Sequence, residues 1–392
     1  MPKKPIRYAT EATENFFDVR DPQNAHKTRI VVDFFKAYAA ILLRNAPLIN
    51  YVDPFAGRGY YDRCAVEPSR TGPIPATPLE ILSAIDTPQF APRTVTWFNE
   101  GDPDHFRDLR AAIERHPAVP RLVHKPKVTN SDVNERITQF FANRVNEPTF
   151  MFVDPYGYRG LTRHLIAAVL KDWGCDVAFF FNYRRVNMAV GHGLFDQHLS
   201  AIFGEERLDQ LREDLKSIED PDDREDLILH NLREALLDVG GQYFLKYRFR
   251  TSEGSTSHHL IFTSKKRRGF LTMKEKMSQH SWKDPIDEIS YFEFVPQPKR
   301  ALTLFEPQVI LPPRNWNYSV KSLANELSRC FRGRKVTLEY LYAGHNDDLP
   351  YDLKHYRAAL WELSDRGLAK LTRADGRSPR RGQCPDGTTI QL

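Results

Sequence analysis

An aspartate followed by two glycines marks the first place where this sequence has the residue types for chemistry. In YVDPFAGRGYYD, residues 51–62, Asp53 ends an apolar run, and Gly57 and Gly59 follow it. Glycine lets a backbone approach a ligand closely because it has no Cβ atom. No G-x-x-x-x-G-K-[ST] sequence is present, and a carboxylate before the glycines would repel a pyrophosphate. The same carboxylate would attract the ammonium group of an amino-acid ligand.

Three further acids end or follow the next predicted strands. Glu100 follows TVTWFN, Asp132 lies in TNSD, and Asp154 ends TFMFVD. Because ligands of open α/β sheets bind at the carboxyl ends of the strands, we expect these acids to converge with Asp53. Glu100 would accept hydrogen bonds from both ribose hydroxyls, and Asp132 from an adenine amino group. Asp102 is an alternative to Glu100, and Asp132 could serve only as a helix cap.

An amino acid joined to an adenosine would satisfy all of these groups. S-adenosyl-L-methionine has that composition, so we predict it as the cofactor. The predicted cofactor-binding residues are Asp53, Phe55, Ala56, Gly57, Gly59, Glu100 and Asp132.

The second motif is VDPYG, residues 153–157, at the end of the fourth predicted strand. It resembles the [DNS]-P-P-[YF] signature of methyltransferases that act on exocyclic amino groups, although the second proline is missing. In those enzymes the acid or amide and a proline carbonyl accept hydrogen bonds from the target nitrogen, and an aromatic ring stacks on the flipped base. The resemblance implies that Asp154, Pro155 and Tyr156 are catalytic residues. A plain turn at these residues is the alternative.

Short apolar runs alternate with amphipathic segments through the first 180 residues and must position these side chains. The predicted strands are 48–53, 94–100, 122–128, 149–154 and 176–182. The predicted helices are 26–45, 77–85, 104–116, 131–145 and 160–173. This alternation predicts a doubly wound, mostly parallel α/β sheet. Residues 243–250 and 257–263 flank a glycine turn and predict a closing antiparallel hairpin. We therefore expect a Rossmann-like methyltransferase sheet of about seven strands.

Three later segments break this alternation. Residues 190–240 have a wholly helical pattern, which predicts an insertion or cap within a methyltransferase-like domain at 1–295. Residues 296–317 contain several prolines and no clear period, which predicts a linker. Residues 318–392 contain three helical segments followed by a short hairpin, and the third helix is the longest. That outline predicts a winged-helix domain.

The winged-helix region carries most of the excess positive charge. The 392 residues have a net charge of +5, and residues 318–392 contain 13 basic and 9 acidic residues. A basic module suits a polyanion, and we expect nucleic acid, with DNA favoured over RNA. The candidate contacts on the third helix, on the wing and after the fifth strand are Lys354, His355, Arg357, Arg366, Arg377, Arg380, Arg381, Arg184 and Arg185. Winged helices also bind proteins, so a protein partner stays open.

The composition argues against several other classes. No apolar run approaches the roughly 20 residues that span a bilayer, and the first residues lack the apolar region of a secretion signal. The four cysteines lie far apart and form no CxxC pair: Cys64, Cys175, Cys330 and Cys384. The cysteine pattern predicts reduced thiols, a cytoplasmic protein and no metal site. The lack of a long apolar run predicts no membrane association. Adjacent on a strand, His258 and His259 should face opposite sides.

Taken together, these motifs resemble one family, the three-Cys-motif partner proteins, called TcmP. The resemblance runs from the helix at Lys27 through YVDPFAGRGYY, FNEGD, VDPYG and FFFN to HHLIFTSKKRRGFLTMKEKM, about three quarters of the chain. It implies a class I methyltransferase-like fold, often encoded beside a radical-type protein with a three-cysteine motif. Family members typically have phenylalanine where this chain has Tyr156.

Three functions remain open at this point. The first is S-adenosylmethionine-dependent methyl transfer to nucleic acid, at an exocyclic amino group. The second is a non-catalytic adaptor that binds nucleic acid for a radical-type three-Cys-motif protein in DNA repair or defence. The third is a small-molecule methyltransferase with a helical cap, which suits a winged-helix domain only if that domain makes a dimer.

Overall fold

The computed structural model describes residues 19–64, 72–155, 160–191, 196–283, 287–296, 318–347 and 349–392. The chain divides into two compact units, one that ends at Lys276 and one that begins at Met277. Of the predicted linker at 296–317, all but residue 296 lies outside the described residues. The predicted domain limits at 295 and 318 therefore stay predictions.

The first unit is built on a mostly parallel sheet. Its main strands are β1 Ile49–Asp53, β2 Thr94–Asn99, β3 Lys127–Thr129, β4 Thr149–Val153, β5 Asp176–Phe181, β6 Tyr243–Arg250 and β7 Thr256–Ser264. These seven strands lie side by side in the order β6-β7-β5-β4-β1-β2-β3. The neighbours from β5 to β3 are parallel, whereas β7 is antiparallel to both β5 and β6. The doubly wound sheet with a closing hairpin, predicted from the sequence, is confirmed.

Helices flank this sheet and connect its strands. They are α1 Pro22–Leu42, α2 Thr77–Ile85, α3 Pro103–Glu114, α4 Thr138–Ala142, α5 Arg163–Leu170, α6 Tyr183–Val190, α7 Asp196–Phe203, α8 Glu205–Leu215, α9 Pro221–Leu237 and α10 Arg267–Gln279. Shorter elements are a 3-10 turn at Val119–Arg121, a π turn at Val133–Ile137, and two pairs of two-residue strands, Val19–Arg20 with Arg63–Cys64 and Tyr60–Tyr61 with Ile74–Pro75. No helix in the described part of the chain combines the length and apolar character that crossing a bilayer requires.

Strand register decides which helix each strand residue contacts. Tyr51 of β1 is paired with Phe150 of β4, and this face receives α1. The Phe34 ring of α1 lies 4.8 Å from that of Phe150, and the Phe35 ring 5.1 Å from that of Tyr51. Two residues after Tyr51, Asp53 lies on the same face because side chains alternate along a strand. The register thus places the candidate carboxylate of β1 toward α1.

The helical region after β5 belongs to the core of the opposite face. Leu199 of α7, Leu211 of α8 and Ile228 of α9 join one buried apolar cluster with Met151 of β4 and Phe179 of β5. These residues explain why an amphipathic helical stretch follows the sheet strand directly: its apolar sides cover strand residues that would otherwise face water.

From residue 318 onward, the described part of the second unit forms three helices and a small sheet. Its elements are α11 Val320–Cys330, β8 Lys335–Thr337, α12 Leu338–His345, α13 Leu353–Asp365, β9 Lys370–Thr372 and β10 Thr389–Gln391, after a two-residue strand at Glu293–Phe294. Strand β10 lies between β8 and β9 and is antiparallel to both. Leu327, Leu341 and Leu360, one from each helix, are completely buried together. The three helices and the hairpin were predicted, whereas β8 was not.

Candidate functional site

The loop after β1 begins with a buried carboxylate. Asp53 is 2% exposed, and its Oδ1 accepts a hydrogen bond of 3.0 Å from the Phe55 backbone N–H. Gly57 and Gly59 have φ angles of +64° and +86°, a region that favours glycine. A Cβ atom at Gly59 would lie 3.2 Å from Leu109 of α3. The glycines therefore allow both the turn and its close approach to α3.

Glu100 joins this loop to the start of α3. Its Oε2 accepts a hydrogen bond of 2.9 Å from the Gly57 N–H, and its Oε1 accepts one of 2.8 Å from the Asp102 N–H. Ala56 N–H donates to the Asn99 carbonyl at 2.9 Å. The structure thus brings Glu100 and the glycine loop together at the carboxyl ends of β1 and β2.

Asn99, which was not among the predicted site residues, connects three strand ends. Its Nδ2 donates to the carbonyls of Pro54 at 3.1 Å and Ser131 at 3.0 Å. Its Oδ1 accepts from the Ser131 N–H at 3.0 Å and from the Thr129 hydroxyl at 2.8 Å. Asn99 is 1% exposed, so these bonds satisfy a buried amide. The sequence signal is an amide at the end of a buried strand.

The two acids with competing interpretations differ in their surroundings. Asp102 caps α3, because its Oδ1 accepts hydrogen bonds of 2.9 Å from the N–H groups of Asp104 and His105. The His105 bond is the main reason that the pKa of Asp102 lies below its usual range. Asp132 is exposed, and its carbonyl accepts from the Arg136 N–H at 3.2 Å at the start of the π turn. Its contact with adenine stays a prediction.

Lys27 of α1, for which no functional role was predicted, is buried at this edge of the sheet. Its side chain is 2% exposed, and its Nζ forms an ion pair with Asp154 and donates to Asn24 Oδ1 at 3.1 Å. The ammonium also lies 4.3 Å from the centroid of the Phe180 ring. The sequence signal is a lysine on the apolar stripe of α1, seven residues before Phe34.

The charges at this edge do not balance. Burial raises the pKa of Asp53 well above its usual range, and the negative charge of Asp154 raises it further, whereas the Phe55 N–H and Lys27 oppose that rise. Two carboxylates therefore share one ammonium group. A second cation beside Asp53 would stabilise its ionised form.

The loops after β1 and β4 touch each other. Pro155 is buried, and Tyr156 lies outside the described residues, so its stacking role stays a prediction. Where the described chain resumes, Gly160 has a φ angle of +81°, and a Cβ atom there would lie 2.5 Å from Phe55 Cζ. The Phe55 ring therefore packs against the backbone of the loop that follows Asp154.

The adjacent histidines of β7 face opposite sides of the sheet. His258 stacks on Phe180 with ring centroids 4.5 Å apart, and burial is the main cause that lowers the pKa of His258 to about 3. His259 Nε2 lies 3.0 Å from Glu225 Oε1, which an Arg248 nitrogen contacts at 2.5 Å. The two imidazoles cannot bind one metal ion, as the alternation of a strand predicts.

Arg184 and Arg185 lie in the first turn of α6, which follows β5 closely. Both are exposed, and the Asn182 side chain caps the helix by accepting from the Arg185 N–H at 3.0 Å. They place two exposed positive charges just after the carboxyl end of β5. Contact with a phosphate backbone stays a prediction.

The candidate contacts on α13 differ in exposure. Lys354 is exposed, with its Nζ 2.7 Å from Glu288 Oε2. His355 is 2% exposed, and its Nδ1 accepts a hydrogen bond of 3.0 Å from the Asp352 N–H, so it belongs to the helix cap. Arg357 Nε donates to the Cys384 carbonyl at 3.0 Å. The cap explains why a histidine at the start of this helix is unavailable at the surface.

The predicted wing lies between β9 and β10. Arg377, Arg380 and Arg381 are all exposed there. Arg381 forms an ion pair of 2.8 Å with Asp365 at the end of α13, and Arg366 donates to Asn325 Oδ1 at 2.9 Å. With Arg373, which is also exposed, the described wing thus presents four guanidinium groups to solvent.

A comparison with protein families matches residues 293–376 to a GMT-like wHTH domain. The second unit therefore contains a winged helix-turn-helix domain, which confirms that prediction. No curated protein matches the chain. The matched region lies in the second unit, so TcmP itself remains a resemblance.

Solved structures with a similar fold are distant in sequence. A Legionella pneumophila protein is 10% identical over 61% of this chain and 85% of its own, with a TM-score of 0.37. The CurJ carbon methyltransferase is 12% identical over 62% of this chain and 55% of its own, also at 0.37. A type I restriction-modification methyltransferase subunit from Streptococcus thermophilus is 12% identical over 64% and 45%, at 0.33. The fold assignment depends on the strand order and pairing, and these likenesses add no argument about function.

Proposed function

We propose that this protein is an S-adenosylmethionine-dependent methyltransferase that acts on nucleic acid, at an exocyclic amino group. The observation that carries the proposal is the grouping of Asp53, Glu100 and Asp154 at the carboxyl ends of adjacent parallel strands, around a loop that contains Gly57 and Gly59. Ligands of open α/β sheets bind at this edge.

Each predicted cofactor-binding acid has a group of the cofactor that it would bind. Asp53 would bind the amino-acid ammonium, and Glu100 would accept from the ribose hydroxyls. The Glu100 oxygens already accept from two backbone N–H groups, but a carboxylate oxygen has a second lone pair for another donor. Asp132 would accept from the adenine amino group. When bound, the cofactor supplies an electrophilic methyl group.

The chain's own residues would orient the acceptor amine. Asp154 and the Pro155 carbonyl would accept hydrogen bonds from its N–H groups, and Tyr156 would stack on the base. Little general-base catalysis is required, because orientation directs the nitrogen lone pair toward the methyl carbon. The winged helix-turn-helix domain supports nucleic acid as the substrate class, with DNA favoured over RNA.

One observation favours a second candidate function. Lys27 already donates to Asp154, and its charge reduces the capacity of this carboxylate to accept from a neutral amine. A protein of this kind could bind cofactor and nucleic acid without methyl transfer. The TcmP resemblance supplies the partner for that alternative, a radical-type three-Cys-motif protein for which this chain would act as an adaptor.

Calorimetric titration of the full chain with S-adenosylhomocysteine tests the cofactor site. We expect micromolar affinity, about −8 kcal/mol, for the wild-type protein and loss of binding in Asp53→Asn. Asp104→Asn is the matched control, because Asp104 is a 79% exposed side chain on α3. Absence of binding at millimolar ligand would contradict the cofactor assignment.

Methyl transfer is tested by incubation with labelled cofactor and DNA or RNA. The enzyme proposal expects label in nucleic acid with the wild-type protein and none with Asp154→Ala. The adaptor alternative expects no label with either, while both bind nucleic acid equally. The two outcomes separate the functions even if cofactor binding is the same.

Nucleic-acid binding through the wing has its own measurement. Arg380→Ala and Arg381→Ala should weaken binding and together reduce the salt dependence of log K by about 2, roughly one per phosphate contact. Arg110→Ala is the control, since Arg110 is 63% exposed on α3. An unchanged salt dependence would show that the wing does not contact the nucleic-acid phosphates.

A further inference from the structure

Three side chains with metal-binding chemistry meet in the second unit. Glu326 and Cys330 lie one turn apart on α11, and His345 is the last residue of α12. Each offers one ligand atom, and these atoms all lie within 4.8 Å of one another. Residues four apart share one face of a helix, so α11 presents its carboxylate and thiol side by side toward His345.

His345 is the rigid member of this group. Its side chain is 9% exposed, and its Nδ1 lies 2.9 Å from the hydroxyl of Tyr356, a fully buried residue of α13. Its Nε2 is buried and makes no hydrogen bond within the described residues, although Glu326 Oε1 lies 3.5 Å away. If Nδ1–H donates to Tyr356, the lone pair of Nε2 points into the group. A second hydrogen bond of this kind is the usual way in which proteins orient a metal-binding imidazole.

We propose that Glu326, Cys330 and His345 form a zinc-type divalent cation site. A thiolate with an imidazole and a carboxylate is a ligand set for Zn²⁺, whereas Ca²⁺ and Mg²⁺ bind oxygen ligands. Ligand atoms around tetrahedral zinc are about 3.3–3.8 Å apart, which follows from bonds of about 2.0–2.3 Å. The three ligand atoms lie within 4.8 Å of one another before any ion is bound. Small rotations of the exposed Cys330 and half-buried Glu326 would bring them to the zinc spacing, while His345 stays fixed.

Such an ion would connect the first two helices of the winged helix-turn-helix domain. Three protein ligands leave a fourth position for water or for a ligand from a binding partner. The site depends on no residue of the candidate cofactor site, so it stands or falls independently of methyl transfer.

Metal binding is measured on the full, untagged chain under reducing conditions. We expect one Zn²⁺ per chain by competition with a chromogenic chelator, and a thiolate-to-metal charge-transfer band on addition of Co²⁺. Cys330→Ser should abolish that band. Tyr356→Phe keeps the ring but removes the hydroxyl, and should weaken Zn²⁺ binding by about 10-fold to 100-fold, as loss of an outer-shell partner does.

Glu362→Gln is the matched control, since Glu362 is an acid on α13 outside the group. It should bind Zn²⁺ with wild-type affinity, whereas Glu326→Gln should bind at least about tenfold more weakly. Absence of the Co²⁺ charge-transfer band in the wild-type protein would overturn the proposal. Equal Zn²⁺ affinity of the wild-type, Cys330→Ser and Glu326→Gln proteins would overturn it as well.

Discussion

The buried ion pair between Lys27 and Asp154 allows a sharp stability prediction. Lys27→Met keeps the apolar stem at nearly the same length and removes the ammonium group, so little packing is lost. The change leaves Asp154 beside Asp53 without the cation that they share. We expect the first unit to become less stable because a partly buried carboxylate is left unpaired.

The expected magnitude follows from the burial of the two partners. Removing one partner of a buried pair costs about 3–5 kcal/mol. Asp154 keeps 24% of its side chain exposed and can recover some hydration, so we expect about 3 kcal/mol. In the double variant Lys27→Met/Asp154→Asn both charges are gone, so about 2 kcal/mol of that loss should be recovered.

Hydrogen exchange measured by mass spectrometry reports on α1 and β4 separately from the second unit. A loss of about 3 kcal/mol corresponds to roughly 100-fold faster exchange of their most protected amides. Lys36→Met is the matched control: Lys36 lies on the same helix, is 49% exposed and pairs with Asp33 at 3.5 Å, so its cost should stay within about 0.5 kcal/mol. Equal exchange in Lys27→Met and Lys36→Met, or a double variant as unstable as Lys27→Met, would refute the reasoning.

Three further predictions concern the first unit. Because burial raises the pKa of Asp53, its stabilising contribution is present at low pH and is lost as the pH rises through that pKa; Asp53→Asn should therefore melt higher than wild type at pH 8, with a smaller difference near pH 4. Gly160→Ala should lower the free energy of unfolding, measured by chemical denaturation, by about 2–4 kcal/mol, because of the positive φ and the close Phe55 ring. The control Gly254→Ala, at a φ angle of +85° but with open space around it, should lower it by only about 1–2 kcal/mol. Equal losses would contradict the contact between Gly160 and Phe55. Hydrogen bonding to a neighbouring histidine holds the pKa of Glu225 below its usual range despite burial, so wild-type stability should fall below about pH 4.5, and melts of Glu225→Gln should show a flatter pH profile.

Most of the first unit could be predicted because its elements are long and periodic. The predicted helix at 77–85 agrees with α2 to the residue, and β4 and β5 differ from the predicted strands by one residue. The predicted strand at 122–128 was wrong at its start: β3 contains only residues 127–129. Pro126 has no N–H for a ladder, so pairing begins after it. The predicted helix at 131–145 begins with a π turn and becomes α-helical only at Thr138.

The candidate cofactor site could be predicted in part, since strand ends meet at one edge whatever the details of packing. Asp53 and Glu100 lie at the ends of neighbouring strands, so their proximity could be predicted. Asn99 could not be assigned, because its role is to bind backbone groups of loops whose paths the sequence does not specify. Glu326 and His345 lie on different helices, and their proximity depends on the packing of α11 and α12.

For Lys27, the sequence could predict that an acidic partner exists but not which acid it is. A lysine on the apolar stripe of a helix must find a partner, since an unpaired buried ammonium is costly. Several acids at the sheet edge were candidates, and the chain separation of 127 residues from Asp154 gave no reason to choose it. Lys27 pairs with Asp154 because α1 packs on the side of the sheet that carries Tyr51 and Phe150. That packing places Lys27 beside the ends of β4 and β5. Its ammonium therefore reaches the carboxylate proposed to hold the acceptor amine, and the pair must loosen before Asp154 can bind that amine in full. If the ion pair only competes with the acceptor amine for Asp154, Lys27→Met should increase methyl-transfer activity or leave it unchanged. If Lys27 must instead hold Asp154 in place for catalysis, the same change should abolish activity together with the stability of the first unit.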